Sequence, residues 1–227
     1  MTDQPLLELS DVGFSHGRSP AVQGVSLTVA AGEVVAVTGP SGCGKSTLLM
    51  LAAGVLRAAE GRVRIAGQDL GPLDDADRAR LRRRRVGLVL QYGQLVPDLP
   101  VIDNVALPLL LEGTAPAAAR AAAAEWLGRV GLDLTGEEQP GELSGGQAQQ
   151  VAAARALVAG PSLLLADEPT ASLDARAGGA LLDVLVASTL DVGGAVVVVS
   201  HDNTVAARAD REVRLRGGRV AHSVQLS

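Results

Sequence analysis

The stretch GEVVAVTGPSGCGKST, residues 32–47, predicts the fold of this chain. An apolar run bounded by glycines predicts a buried strand over 32–39, and the helix formers that follow predict a helix over 45–56. The glycine-rich turn between them matches the pattern GxxxxGK[ST], in which successive backbone N–H groups face one centre at a helix N-terminus. Because such a concavity attracts anions, the stretch predicts a phosphate-binding loop at a strand-to-helix turn.

The nine residues of this phosphate loop, 39–47, are all candidate contacts for a nucleotide. Lys45 is expected to reach the β- and γ-phosphates, and Ser46 to hold Mg²⁺ through its hydroxyl group. Lys45 is also the only lysine of the chain, beside nineteen arginines. Because an ammonium is a compact charge and a guanidinium is a planar fork, we expect the narrow loop to exclude arginine here. The predicted phosphate-binding residues are Gly39, Pro40, Ser41, Gly42, Cys43, Gly44, Lys45, Ser46 and Thr47.

Composition limits the class of protein to which the chain can belong. Its 227 residues are enough for one or two domains that bury a core without disulfide or metal staples. Hydrophobic residues make up 47%, but Phe14, Tyr92 and Trp126 are the only aromatic ones, so Leu, Val and Ala must build that core. The net charge of −5 provides no basic excess of the kind that nucleic-acid partners require.

Cysteine usage and hydropathy favour a cytosolic protein. A single cysteine, Cys43, excludes an intrachain disulfide, which suits a reducing compartment. For this residue we expect the role of a small loop side chain, with redox sensing as the alternative. Residues 1–12 lack the basic and apolar regions of a signal peptide. The longest apolar runs, such as 195–200, have the length of a strand rather than of a membrane helix.

Strands alternate with helices along most of the chain, and several strands are continuously apolar, as in a parallel sheet that is buried on both faces. The pattern predicts an α/β fold with a mainly parallel core sheet and a C-terminal hairpin over 211–224. The arginine-rich helix predicted over 74–85 is interpreted as a solvated face, with a nucleic-acid site as the alternative. Predicted strands cover 6–15, 21–39, 61–70, 86–91, 162–169 and 193–202, and further predicted helices cover 115–132, 147–160 and 175–189.

Two acidic residues end the apolar run LLLADE, residues 163–168. Because neighbouring side chains point to opposite faces of a strand, the two carboxylates can take different tasks. Asp167 is expected to coordinate Mg²⁺, directly or through water, and Glu168 to act as general base on the attacking water. Gln91 and His201 end two other predicted strands, where Gln91 could bind Mg²⁺ or water and His201 could contact the γ-phosphate.

A second glycine-rich loop, LSGGQ at residues 143–147, stands before another predicted helix and offers the hydroxyl of Ser144 to an anion. From the residues alone, two anion sites in one chain can serve one ATP together or two ATP molecules held by different copies. The ordered set of the phosphate loop, Gln91, LSGGQ, LLLADEP, SLD and SH is highly specific. It resembles the ATPase subunit of an ATP-binding cassette (ABC) transporter, over essentially all 227 residues.

The resemblance implies a single domain over residues 1–227, with the α/β fold of the family. That fold is a P-loop NTPase RecA-like core with an antiparallel β edge and an inserted α-helical subdomain. The core and its N-terminal β subdomain would cover 1–91 and 157–227, and the helical subdomain with the LSGGQ motif would cover 92–156. The implied activity is Mg²⁺-dependent hydrolysis of ATP to ADP and phosphate.

The resemblance also implies a head-to-tail dimer that forms with ATP, either a homodimer or a pair with a related ATPase. Each ATP would lie between the phosphate loop of one subunit and the LSGGQ of the other. Asp174 would lie at the dimer seam, and His201 would hold the γ-phosphate. The residues implied to act on the partner's nucleotide are Ser144, Gly145, Gly146 and Gln147.

This chain departs from the family pattern at three points. The aromatic residue that stacks on adenine usually precedes the first loop glycine, where this chain has His16, while Phe14 lies two residues earlier. Both are expected on one strand face, and the larger apolar face of Phe14 predicts the stronger contribution. The arginine that usually follows the signature is Gln150, and the phenylalanine that usually precedes the glutamine is Leu90. Since none of these changes removes a catalytic group, we expect an active enzyme.

Residues 88–113 resemble one branch of the family, the ATPases of lipoprotein release, macrolide-type export or the cell-division permease complex. The resemblance implies a separate integral-membrane permease that docks near residues 92–110, on the cytoplasmic side of the cell membrane. One alternative is an ABC-type ATPase that regulates a cell-division or signalling membrane complex without solute transport. Another is a soluble ABC ATPase of translation or DNA repair, which usually carries a second cassette or a coiled-coil insert.

Overall fold

The computed structural model describes residues 4–91, 93–201 and 203–226, so Tyr92 lies outside the described residues. Two β-sheets and seven α-helices form this part of the chain. The strands are β1 Leu7–His16, β2 Ser19–Val29, β3 Val34–Thr38, β4 Glu60–Ile65, β5 Gln68–Asp69, β6 Val86–Val89, β7 Leu163–Asp167, β8 Ala195–Val199, β9 Arg211–Arg216 and β10 Arg219–Gln225. The helices are α1 Lys45–Ala52, α2 Asp75–Arg85, α3 Val101–Leu111, α4 Pro116–Arg129, α5 Gly145–Leu157, α6 Ala175–Leu190 and α7 Asn203–Ala206.

The six-stranded sheet has the order β10-β9-β3-β8-β7-β6, and its strands from β9 to β6 run parallel. Every residue of β7 and of β8 is buried, which explains why these strands read as continuous apolar runs. β10 pairs antiparallel with β9 as the predicted C-terminal hairpin. Because parallel strands end at one edge of the sheet, the loops that follow β3, β7 and β8 come together there.

The four-stranded sheet is antiparallel and has the order β2-β1-β4-β5. Its buried Leu and Val residues share one core with α1 and one face of the six-stranded sheet. The predicted strand over 21–39 is two strands, β2 and β3, which belong to different sheets. The chain turns between them at Gly32, whose φ of +78° favours glycine. The prediction from residue composition missed this turn and joined the two strands.

The helices α3, α4 and α5 pack against one another, and their shared core continues onto the other face of the six-stranded sheet. α4 begins at Pro116, which is tolerated in the first helical turn because its missing N–H has no intrahelical partner there. Alanines face the contacts and allow close approach, among them the fully buried Ala119, Ala123, Ala152 and Ala153. The fold class is thus the predicted α/β architecture, while the division into 1–91, 92–156 and 157–227 stays a prediction.

Two expectations for the first half of the chain need correction. The helix α3 was not predicted, because Pro108 and the apolar residues around it indicate a surface rather than a helix. Its first half faces the core, where Val101, Ile102, Val105 and Ala106 are buried, whereas Leu111 at its end is 58% exposed. The helix over 74–85 is not simply a solvated face either, since the side chain of Arg78 is only 10% exposed.

Candidate nucleotide-binding site

The phosphate loop connects β3 to α1, and its glycines adopt backbone angles that other residues avoid. Gly39 has a φ of +142° and Gly44 has a φ of +104°. A Cβ atom at Gly39 would lie 2.3 Å from the carbonyl oxygen of Leu215 in β9, and one at Gly44 would lie 2.2 Å from that of Ala21 in β2. Both positions therefore require glycine twice over, for conformation and for the close approach of strands from both sheets.

Lys45 is the first residue of α1, and its ammonium group folds back over the loop. Its Nζ donates hydrogen bonds to the carbonyl oxygens of Gly39 at 2.8 Å and Pro40 at 3.2 Å. The positive charge thus lies inside the curl of the loop, where the N-terminus of α1 also favours an anion. Cys43 is buried and its side chain belongs to the core, which favours the role of a small packing residue. Its backbone N–H donates to the Pro40 carbonyl at 3.3 Å.

A cavity of about 310 Å³ lies beside the loop and could hold the rest of a nucleotide. His16 lines it, and the His16 Nε2 lies 3.3 Å from the Thr47 Oγ1. Phe14 packs with the core and meets the His16 ring edge-on, with the ring centroids 5.0 Å apart. The remaining lining residues are Ser19, Pro20, Ala21, Gly42, Gly44, Lys45, Ser46 and Thr47.

The position of His16 in the cavity lining favours His16 over Phe14 for the contact with adenine. We expect His16→Ala to raise the Kd for ATP about three- to tenfold, because the imidazole lines the cavity and a ring stack contributes about 0.5–1.5 kcal/mol. We expect Phe14→Ala to raise it less, since Phe14 acts through the position of His16. An ATP titration of both variants measures the order. If Phe14→Ala has the larger effect at equal folded fraction, the assignment of His16 is wrong.

Asp167 ends β7 and is only 6% exposed. Burial raises the pKa of this carboxyl group, the charge of Glu168 raises it further, and a hydrogen bond from the Ser46 hydroxyl together with the Lys45 charge opposes the shift. Ser46 and Lys45 therefore lie close enough to Asp167 to affect its pKa, which places the end of β7 beside the phosphate loop. A buried carboxylate beside a hydroxyl offers two oxygen ligands to a divalent cation.

Glu168 follows with a φ of +48°, a region that non-glycine residues rarely occupy, and such strain is concentrated at functional sites. Its side chain is 12% exposed and its carboxylate accepts three hydrogen bonds. The donors are the Ser200 hydroxyl at 3.2 Å, the His201 backbone N–H at 3.1 Å and, from the His201 ring, Nδ1 at 2.7 Å. The structure therefore brings Glu168 and His201 together, with the ring of His201 largely exposed.

Ser200 is a site residue that the sequence reasoning did not include. It follows β8 and is buried, and its hydroxyl donates to the Glu168 Oε2. The signal for it was a hydroxyl residue directly before the histidine at the end of a buried strand. Its contact holds one oxygen of Glu168 while the other faces His201, so it limits the rotation of the carboxylate.

The LSGGQ motif begins α5 with a reciprocal cap. The Ser144 Oγ accepts from the Gln147 N–H at 3.2 Å, and the Gln147 Oε1 accepts from the Ser144 N–H at 2.9 Å. A Cβ atom at Gly146 would lie 2.8 Å from Leu173, so the motif packs closely against the segment 172–174. The cavity beside the phosphate loop is lined without this motif.

Asp174 and Gln91 occupy positions with clear local roles. Asp174 caps α6, because its Oδ1 accepts from the N–H groups of Arg176 and Ala177 at 2.9 Å each. Gln91 lies two residues beyond the end of β6 and is half-buried. The strand predicted over 86–91 is therefore shorter, and Gln91 belongs to the loop that leads toward α3.

The signature helix α5 holds this loop on both sides of Gln91. The Gln149 Nε2 donates to the Leu90 carbonyl at 3.4 Å, and Arg155 donates to the carbonyls of Gly93 at 2.8 Å and Gln94 at 3.1 Å. Neither residue was predicted to matter, because their contacts are with backbone that is distant in sequence. Gln150, which replaces the usual arginine, donates to the Val130 carbonyl at 2.7 Å, and so ties α5 to the end of α4.

Comparisons with known proteins agree with this geometry. The family model described as ABC transporter matches residues 22–171. The lipoprotein-releasing system ATP-binding protein LolD of Chromohalobacter salexigens is 45% identical over 197 residues, which are 87% of this chain and 83% of that relative. LolD of Geobacter metallireducens is 43% identical over 219 residues, which are 95% of this chain and 97% of that relative.

The solved structures include a close match over nearly the full length. The dimeric post-hydrolysis state of the ATP-binding cassette MJ0796, bound to ADP and Pi, superposes with a TM-score of 0.92 at 35% identity. The match covers 97% of this chain and 99% of that one. Sequence family, relatives and fold all indicate the same family. This chain therefore belongs to the ABC transporter family and is an ATPase subunit of that family.

Proposed function

We propose that this chain hydrolyses ATP with Mg²⁺, as one half of a nucleotide-bound dimer, to drive a membrane complex that releases lipoproteins. One observation carries the proposal: the strained, hydrogen-bonded Glu168 stands beside the buried Asp167, which itself reaches Ser46 of the phosphate loop. A phosphate-binding loop, a ligand for a cation and a positioned general base thus lie at the same edge of the sheet.

In this mechanism the loop binds the phosphates through its N–H groups and the Lys45 ammonium. Glu168 accepts the proton of the attacking water, and Ser200 and the His201 backbone hold its carboxylate in position. The exposed ring of His201, whose Nδ1 contacts Glu168 at 2.7 Å, would contact the γ-phosphate. A bound Mg²⁺ would neutralise charge on the phosphate oxygens as the bond to the leaving group breaks.

The residues present fit Mg²⁺ as a ligand shared with the nucleotide. The Ser46 hydroxyl and the Asp167 carboxylate are oxygen donors in contact, and oxygen donors are what this ion prefers. Across the described part of the chain, no three His, Cys, Asp or Glu residues form a cation cluster of their own. Mg²⁺ would therefore take other ligands from phosphate, from water and from Gln91.

The dimer would complete each site with LSGGQ from the partner. The Ser144 hydroxyl accepts a hydrogen bond from the Gln147 N–H, which leaves its own proton to donate to a phosphate oxygen. The next N–H groups, at Gly145 and Gly146, are at the start of α5, where the helix dipole favours an anion. The matched cassette MJ0796 was solved as a dimer, which supports this arrangement. Asp174 would lie at the seam through the segment that packs on Gly146.

A membrane partner would dock in a cavity of about 170 Å³ between the sheet and the helices. Its apolar lining includes Leu88, Leu107, Pro108 and Leu111, and Leu111 is 58% exposed. Of its lining residues, Leu107 and Pro108 lie within the range 92–110, Leu111 lies just beyond it and Leu88 lies before it. The first half of α3 is largely buried and is not open to a partner. Among the described residues no helix has the length and apolarity to cross a membrane. From the LolD relatives, we propose that the chain lies on the cytoplasmic face of a membrane and is bound to a separate permease.

The docking proposal predicts the effect of a charge at Leu111. We expect Leu111→Glu to lower the recovery of a co-expressed membrane permease with this chain at least about tenfold, since a buried leucine contributes roughly 1.5–3 kcal/mol. ATP hydrolysis by the isolated chain should persist. Val192→Glu is the matched control, because Val192 is also 58% exposed. Co-purification followed by mass spectrometry measures both variants and identifies the partner.

Two outcomes would reject the docking proposal. If Leu111→Glu and Val192→Glu retain the permease equally, the partner binds elsewhere. If the wild-type chain purifies with ribosomes and without any membrane protein, the transport function itself is wrong. A permease with a large extracytoplasmic domain and few membrane spans is the expected partner for lipoprotein release.

A further inference from the structure

A further cavity, lined by no residue of the phosphate loop, has no role in the function proposed above. It has a volume of about 320 Å³ and lies between the end of α1, the antiparallel strands β4 and β5, and the start of α2. This volume is in the range of small-molecule sites. Its residues belong to 51–78, and they include none of the residues assigned to ATP or to the membrane partner.

One wall of this cavity is basic. Arg57, Arg62 and Arg78 all line it. Arg78 is the unusual member, because its side chain is only 10% exposed and its Nε has no hydrogen-bond partner among the described residues. Leaving a buried donor of a charged group unsatisfied is costly, so such a group marks a site for an acceptor.

Two carboxylates partly balance the arginines. Asp69 lies 3.0 Å from Arg62, and Asp75 lies 3.1 Å from Arg57 and 2.9 Å from Arg78. Three guanidinium groups against two carboxylates leave one positive charge in excess. The charge of Arg78 also acts on Arg82, outside the cavity. Burial is the largest cause of the lowered pKa of Arg82, and the charge of Arg78 is the next largest.

The other residues that line the cavity are mostly apolar. Leu51, Val63 and Leu70 are buried members of the core, while Leu56 and Pro72 keep apolar surface exposed to solvent. An apolar lining with a few directed polar groups is the usual composition of a site for a small organic molecule. Inorganic phosphate alone would leave the surface of Leu56 and Pro72 in contact with water, whereas a phosphate ester with a short apolar body would cover it.

We propose that this cavity binds small organic phosphate esters, with the phosphate on Arg57, Arg62 and Arg78 and the apolar body on Leu56 and Pro72. Arg57 and Arg62 are 51% and 58% exposed, so they can turn toward a ligand without unfolding the site. A phosphate contacting Arg78 would add a partner to a guanidinium that, among the described residues, pairs with Asp75.

The test is an NMR titration of the full chain with hexyl phosphate, inorganic phosphate and hexanol. Hexyl phosphate should shift the backbone amide signals of Arg62, Val63 and Leu70. The Kd of hexyl phosphate should be about tenfold lower than that of inorganic phosphate, because its hexyl group is buried against the apolar side chains of the cavity. Hexanol should give no comparable shift. The amides of 39–47 report separately on phosphate at the nucleotide loop.

Variants distinguish this cavity from general attraction to arginine. We expect Arg62→Ala and Arg57→Ala each to raise the Kd for hexyl phosphate at least about fivefold, as loss of a charge-assisted hydrogen bond does. Arg80→Ala is the control on α2, since Arg80 is exposed, pairs with Asp77 and is outside the lining. Shifts confined to 39–47, equal binding of hexanol, or equal loss in all three variants would overturn the proposal.

Discussion

Replacing Glu168 by glutamine is expected to lower ATP turnover at least about 100-fold while ATP binding is retained, since general-base catalysis contributes roughly 10²–10⁴. The amide oxygen can still accept from the His201 N–H, and the amide NH₂ can donate to the Ser200 hydroxyl, so the local structure should persist. It cannot take a proton from water. Because bound ATP then remains intact between two subunits, the variant should accumulate as an ATP-bound dimer. A phosphate-release assay and size-exclusion chromatography with ATP measure the two effects.

The control for this variant is Glu125→Gln, which makes the same change at an exposed position on α4. It should hydrolyse ATP at the wild-type rate and stay monomeric under the same conditions. Turnover in Glu168→Gln that equals this control would show that another group activates the water. A monomeric Glu168→Gln with bound ATP would instead disprove the two-subunit site and leave the base assignment in place.

Replacing Lys45 by arginine is expected to lower hydrolysis about 100-fold although the charge is preserved, a loss typical of a misplaced transition-state contact. The Lys45 ammonium fits beneath the loop, within 2.8 Å of the Gly39 carbonyl and 3.2 Å of the Pro40 carbonyl. A planar guanidinium is wider and cannot occupy this space without moving the loop. The loop has little freedom to move, because Gly39 and Gly44 are already in contact with backbone of β9 and β2.

Steady-state kinetics with ATP and Mg²⁺ measure this effect, with circular dichroism to verify folding. The matched control is Arg216→Lys, a reverse exchange at an exposed position on β9. It should leave both turnover and KM unchanged. Wild-type kinetics in Lys45→Arg would mean that charge alone matters, and composition bias would then be a sufficient account of the nineteen arginines elsewhere.

The sequence by itself determined which chemistry this chain performs. The motif at 39–47 requires glycines at fixed offsets. The carboxylates at the end of a continuous apolar strand predict the groups that bind Mg²⁺ and activate water. These signals are local, because a strand-to-helix turn and a strand end are set by neighbouring residues. For that reason the sequence alone identifies the phosphate loop, Asp167, Glu168 and LSGGQ as candidate residues of a nucleotide site.

The tertiary structure decided which groups face one another. Ser200 reaches Glu168, Asp167 reaches Ser46, and His16 rather than Phe14 lines the cavity, all through contacts between residues distant in sequence. Periodicity carries no information on such contacts. The helix α3 and the buried Arg78 were missed for the same reason, since burial depends on which element packs above a residue. Sequence patterns thus defined the chemical groups, and three-dimensional packing determined their partners.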